Sequence, residues 1–130
     1  MILHSGPILP QRVASIPVRL AAPSGTAFID GDALIDTGAT FTSVRQDVAT
    51  RLSLPSVGTI PVRGISGRAP RAVYLIRADL GPMLGTLAKA PVASFDPDTG
   101  SLVLLIGLDV LRRWETRFHG PTARFEIRSP

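Results

Sequence analysis

The chain has no cysteine, a single lysine, one tryptophan and one tyrosine. Without cysteine there is no disulfide framework and no thiolate metal site, and the redox compartment is left open. The two histidines, His4 and His119, stand far apart with no ligand spacing, and no serine sits in a nucleophile elbow. Both are read as surface residues, and no metal and no organic cofactor is expected. No stretch approaches the ~20 apolar residues of a membrane helix. The start, Met1-Ile2-Leu3-His4-Ser5-Gly6-Pro7, lacks a basic region and is broken by Gly6 and Pro7, so it is not read as a signal peptide. The expectation is a soluble chain with no membrane partner, placed in the cytoplasm by default.

Charge is present but diffuse. The net charge is +4, and every basic residue except Lys89 is arginine. The arginines form no run of five and have few aromatics between them, so no nucleic-acid partner is expected. Their number is read as genome composition. A small basic barrel that binds phosphate backbones stays as a rival, with strongly salt-dependent binding as its mark.

Against these absences stand 12 glycines, 12 prolines and 45% hydrophobic residues in 130. Short strands joined by turns use glycine and proline in this way. The length suits one domain, residues 1–130, with residues 1–12 as an extended N-terminal arm. Residues 16–20 suit an edge strand, because Pro17 is tolerated there. Residues 26–30 and 33–35 read as two strands joined by a tight turn at Gly31-Asp32. Ser43 and Gln46 have capping-box spacing, and Val44, Val48 and Leu52 follow on one helical face until Pro55. Residues 58–62 and 72–80 read as a hairpin with a flexible tip at Gly64-Ile65-Ser66-Gly67. Residues 87–95 have strand character limited by Pro91. Leu102-Val103-Leu104-Leu105-Ile106 reads as a fully buried strand. A short helix follows over 108–114 with Leu108 and Leu111 facing in, and a last strand runs over 122–127.

The most informative stretch is Ala33-Leu34-Ile35-Asp36-Thr37-Gly38-Ala39-Thr40. An apolar strand delivers a carboxylate onto a tight turn beside backbone N–H groups. A second Asp-Thr-Gly, residues 98–100, follows Pro97 rather than an apolar strand and reads as a plain turn. Asp30 and Asp32 read as turn residues. Asp109 reads as a structural acid in the first turn of its helix. Residues 33–52 and 102–114 weakly echo one another: apolar strand, glycine, short helix.

The Asp36-Thr37-Gly38-Ala39 segment resembles the active-site segment of retropepsin-like aspartic proteases, with wording closer to bacterial than to viral members. Leu104-Leu105-Ile106-Gly107-Leu108-Asp109-Val110-Leu111 is similar to that family's apolar-glycine-helix mark, and the hairpin between them to its flap. The resemblance implies an all-β, retropepsin-like closed β-barrel with a flap hairpin and one or two short helices. It implies a homodimer acting on peptide or protein substrates, with Asp36 of each chain forming a catalytic dyad. Two carboxylates a few ångströms apart cannot both ionise cheaply, so they share a proton. One then activates water while the other protonates the scissile carbonyl. By the same resemblance Thr37 would bond across the two-fold axis, Gly38 would present its N–H to the carboxylate, and Ala39 would leave room for substrate. Gly64, Ile65, Ser66 and Gly67 would cover the substrate, and Leu105, Ile106 and Gly107 would support the loop. Leu34, Val62, Ile65, Met83 and Leu84 are candidate pocket positions. Thr40, Phe41 and Thr42 stand where viral members often have a second acid, and Leu108 where they often have arginine, so those contacts are not carried over. The alternative is a catalytically inactive dimerisation or peptide-binding module on the same fold.

Overall fold

The computed structural model describes residues 1–8, 14–64, 67–96 and 100–130. Ten strands dominate: β1 (Ile2–Pro7), β2 (Ser15–Ala21), β3 (Phe28–Ile35), β4 (Ser43–Arg45), β5 (Ser56–Gly64), β6 (Gly67–Asp79), β7 (Thr86–Phe95), β8 (Leu102–Ile106), β9 (Glu115–His119) and β10 (Arg124–Arg128). Two short helices, α1 (Gln46–Arg51) and α2 (Leu108–Leu111), and a 3₁₀ turn at Gly120–Thr122 complete the order. No helix among the described residues is long and apolar enough to cross a membrane.

Strands β2-β3-β8-β4-β7-β6 are neighbours in that order, and β2 also pairs with β6 over Arg19–Ala21, closing a six-stranded barrel. β5 extends from β6 as the outer strand of a long hairpin. Closure removes the unpaired edges that an open sheet exposes. A separate sheet, β1-β10-β9, joins the two ends of the chain. The core is largely apolar, with Ile16, Leu20, Val44, Val48, Ile76, Leu104, Ile106, Phe125 and Ile127 essentially inaccessible, and Thr42 and Ser94 are the polar residues buried among those described.

Several local expectations give way to tertiary demands. β2 is not an edge strand, since it pairs with β3 on one side and β6 on the other. Pro17 survives there because the β6 pairing covers only residues 19–21, so its missing N–H is not needed. Gly31-Asp32 is not a turn, and β3 runs through it unbroken. A Cβ at Gly31 would lie 2.7 Å from both Val103 methyl carbons and 2.8 Å from the Ser101 carbonyl oxygen, so this glycine serves close strand approach. Asp30 instead pairs with Arg19 across the ladder at 2.8 Å, and Asp32 accepts from the Ser101 hydroxyl.

The helix after the Asp36 loop is shorter than its spacing predicts, because Ser43 and Val44 form a strand between β7 and β8. Ser43 makes no cap, and the helix starts at Gln46 with Val48 and Leu52 buried. β7 passes through Pro91 without a break. α2 is a single turn with Val110 and Leu111 buried and Leu108 facing solvent. β8 is not wholly buried, Leu102 and Leu105 being partly accessible. Much of the N-terminal arm is itself a strand, β1, while its last residues lie outside the described ones. His4 is half-buried with its ring 5.5 Å from that of Phe125, and burial lowers its pKa. His119 stays exposed and meets Glu126 at 2.8 Å.

Candidate active site

The parallel neighbours β3 and β8 are in register at Ile35 and Ile106, so Asp36 and Gly107 leave the sheet side by side. The Asp36 N–H donates to the Ile106 carbonyl at 3.0 Å. The chain then turns tightly. The Gly38 N–H donates to Asp36 Oδ1 at 3.0 Å, and the Ala39 N–H to the Asp36 carbonyl at 3.2 Å. The carboxylate is thereby held at the sheet's end, partly accessible. Thr37 is exposed, and its hydroxyl has no partner among the described residues.

Behind this loop lies a clasp that the sequence did not suggest. Thr42, 1% exposed, donates both its N–H (3.0 Å) and its hydroxyl (2.7 Å) to Asp109 Oδ1. Its hydroxyl oxygen accepts from the Gly107 N–H at 3.1 Å. Two further bonds run between the loops, from the Leu108 N–H to the Ala39 carbonyl (2.9 Å) and from the Asp109 N–H to the Thr40 carbonyl (3.2 Å). Asp109 therefore does more than complement a helix dipole. No local sequence signal marks the clasp, since Thr42 stands between Phe41 and Ser43 and its partner is 67 positions away. Gly107 is dictated by the approach of the two loops. A Cβ there would lie 2.6 Å from the Phe41 carbonyl carbon and 2.9 Å from the Ala39 oxygen.

The Asp36 loop opens into a cleft of about 770 Å³. Gly38, Ala39 and Leu105 share its lining with Asp36, the β5–β6 hairpin contributes Val62, Arg63, Arg68 and Arg71, and Phe95 closes another side. Leu34, Met83 and Leu84 do not line it within one chain. Ile106 and Gly107 are buried behind the loop. Gly64 and Gly67 face each other at the ends of β5 and β6, while Ile65 and Ser66 lie outside the described residues, as do Pro97, Asp98 and Thr99. Among the described residues no group of three or more His, Cys, Asp or Glu could hold a metal ion.

A family profile described as "gag-polyprotein putative aspartyl protease" matches residues 29–113, more than half of the chain. No curated protein matches at a significant level. Among solved structures, the chain is similar to EIAV protease complexed with the inhibitor HBY-793, with a TM-score of 0.59 at 17% identity, over 80% of this chain and 88% of that one. It is also similar to a retropepsin-like aspartic protease from Rickettsia conorii, with a TM-score of 0.58 at 13% identity, over 95% of this chain and 90% of that one. At such identities the likeness concerns the fold alone. The chain belongs to the gag-polyprotein aspartyl protease family and has the retropepsin-like fold.

Proposed function

We propose that residues 1–130 form one protease domain that hydrolyses peptide bonds as a homodimer, with Asp36 of each chain as the catalytic dyad. The observation that carries this reading is a partly accessible carboxylate, fixed by the Gly38 N–H, in the lining of a cleft that a long hairpin also lines. One chain supplies one such carboxylate to the cleft, and water activation without a metal needs two that share a proton. In the dimer one Asp36 takes a proton from the attacking water and its mate donates to the carbonyl oxygen of the scissile bond. The pair titrates as a unit. Thr37, exposed and with no hydroxyl partner among the described residues, is available to bond its counterpart across the two-fold axis. Ala39 keeps the approach to the carboxylate open, and the β5–β6 hairpin acts as the flap that excludes water over the substrate.

The test is cleavage of a diverse peptide mixture by the wild type and by Asp36→Asn, read by mass spectrometry from about pH 4 to 7, where such dyads work. The expected result is cleavage by the wild type alone, rising more steeply than linearly with enzyme concentration if the dimer is weak. Equal cleavage by both proteins removes Asp36 from the mechanism. No cleavage by either points to the inactive peptide-binding module.

A further inference from the structure

Resting on that reading, we infer that the cleft selects acidic peptides, through Arg63 and Arg68 on the two strands of the hairpin. These arginines are directly opposite one another in the β5–β6 ladder, both are exposed, and both line the cleft that holds Asp36. Among the described residues neither has a hydrogen-bond or ion-pair partner. Arg19, Arg45, Arg71, Arg117 and Arg128 each pair with a carboxylate, and Arg51, Arg112 and Arg113, which like Arg63 and Arg68 have no side-chain partner among the described residues, do not line the cleft. Arg71, also in the cleft lining, is occupied by Asp96 at 2.9 Å.

Like charges directly across a ladder weaken a hairpin. Among the described residues no carboxylate pairs with either guanidinium to offset this repulsion. An anionic ligand between the strands and the cleft floor would offset it. A peptide carrying Asp or Glu beside the scissile bond supplies carboxylates to both guanidinium groups, in the planar geometry that arginine favours. Among the described residues the single carboxylate lining the cleft is Asp36, which the proposed chemistry keeps for water and the carbonyl. A two-fold dimer presents the arginine pair twice, so acidic residues are favoured on both sides of the scissile bond. Basic residues there meet like charge, which discriminates against them.

The experiment uses one peptide sequence cut by the wild type, made with Glu, Gln or Lys at the positions flanking the scissile bond. The expected order of kcat/KM is Glu above Gln above Lys, with about tenfold between the extremes at low salt and less at 0.5 M NaCl. Arg63→Gln/Arg68→Gln flattens the series, and Arg63→Glu/Arg68→Glu inverts it. Binding of the same peptides, fluorescently labelled, to Asp36→Asn is read in parallel by anisotropy. Cleavage that ignores the flanking charge, or a preference the arginine variants leave intact, overturns the inference and leaves the protease reading standing. If the wild type cuts nothing, the series is run by anisotropy on unselected peptides. A Glu-over-Lys difference that the arginine variants abolish then upholds acidic recognition while the catalytic reading falls, and equal binding overturns both.

Discussion

Gly107→Ala is the sharpest perturbation this architecture offers. The added methyl carbon would sit 2.6 Å from the Phe41 carbonyl carbon and 2.7 Å from its oxygen, both backbone atoms. Ordinary contact begins at 3.4 Å, so the Asp36 loop or the start of α2 must retreat by about 0.8 Å. Neither can do so freely. The Leu108 and Asp109 N–H groups bond the Ala39 and Thr40 carbonyls, and the Gly107 N–H bonds the Thr42 hydroxyl. Overpacking of this kind costs about 1–3 kcal/mol, and the weakened bonds add to it. The expected loss is about 2–4 kcal/mol, a fall in Tm of about 8–15 °C for a chain of this size. Because Asp36 is on the displaced loop, a shift near 1 Å is expected to lower turnover about 100-fold. Gly120→Ala is the control, since a Cβ there meets nothing within 4 Å and the backbone is not in the left-handed region. It should stay within about 0.5 kcal/mol of wild type. Thermal unfolding and peptide turnover of the two variants decide the matter. A Gly107→Ala protein as stable and active as Gly120→Ala would refute the close packing of the two loops as the device that positions Asp36.

Two further outcomes are expected. Thr42→Val keeps the shape but leaves the buried Gly107 N–H without an acceptor and deprives Asp109 of its hydroxyl donor, at a cost of about 2–3 kcal/mol, whereas Thr42→Ser keeps the hydroxyl and forfeits only a methyl worth about 1 kcal/mol. Equal unfolding midpoints in urea for the two variants would contradict the clasp. The second outcome concerns pH: hydrogen bonding from the Arg45 guanidinium holds the Asp47 carboxyl below its usual range, so its stabilising contribution is full above the ordinary value of 3.8 and is lost as pH falls through the lowered one. Asp47→Asn should therefore be the less stable protein at pH 5.5 and should lose less stability on going to pH 3. Parallel Tm curves for the two proteins would show that the pair contributes nothing to folding.

What the sequence revealed and what it hid divide along physical lines. The placement of Asp36 on a tight turn at a strand's end was legible because its signal is local: an apolar strand, a carboxylate and a glycine in close succession. The barrel strands were legible where the apolar pattern is strong, as at Leu102–Ile106. Gly31 was misread because a glycine needed for close approach looks in sequence like one needed for a turn, and only Val103 packed against it tells them apart. The capping-box spacing at Ser43 and Gln46 was overridden by ladder bonds to two strands, which outweigh a single cap. β9 escaped notice because none of its five side chains is buried and its pattern carries no period. Arg63 and Arg68 looked like two scattered arginines, since only the hairpin register sets them face to face.

The echo between residues 33–52 and 102–114 has a structural meaning that explains how the loop is built. The two apolar strands lie parallel and adjacent, so each strand's exit becomes the other's support. Asp36 takes its backbone acceptor from the end of β8, and Gly107 takes its own from Thr42 just beyond the Asp36 turn. All of these bonds lie within one chain. Under the proposed mechanism the half-site is therefore organised before two chains meet, and dimerisation supplies the second carboxylate rather than the geometry of the first. Such preorganisation suits catalysis by positioned charge, because the donors and the carboxylate need not reorganise when substrate arrives. It also separates two kinds of damage. Changes at Gly107, Thr42 or Asp109 act through folding and alignment together, whereas Asp36→Asn, at a partly accessible side chain whose loop is fixed by backbone bonds, removes the chemistry and leaves the barrel as it was.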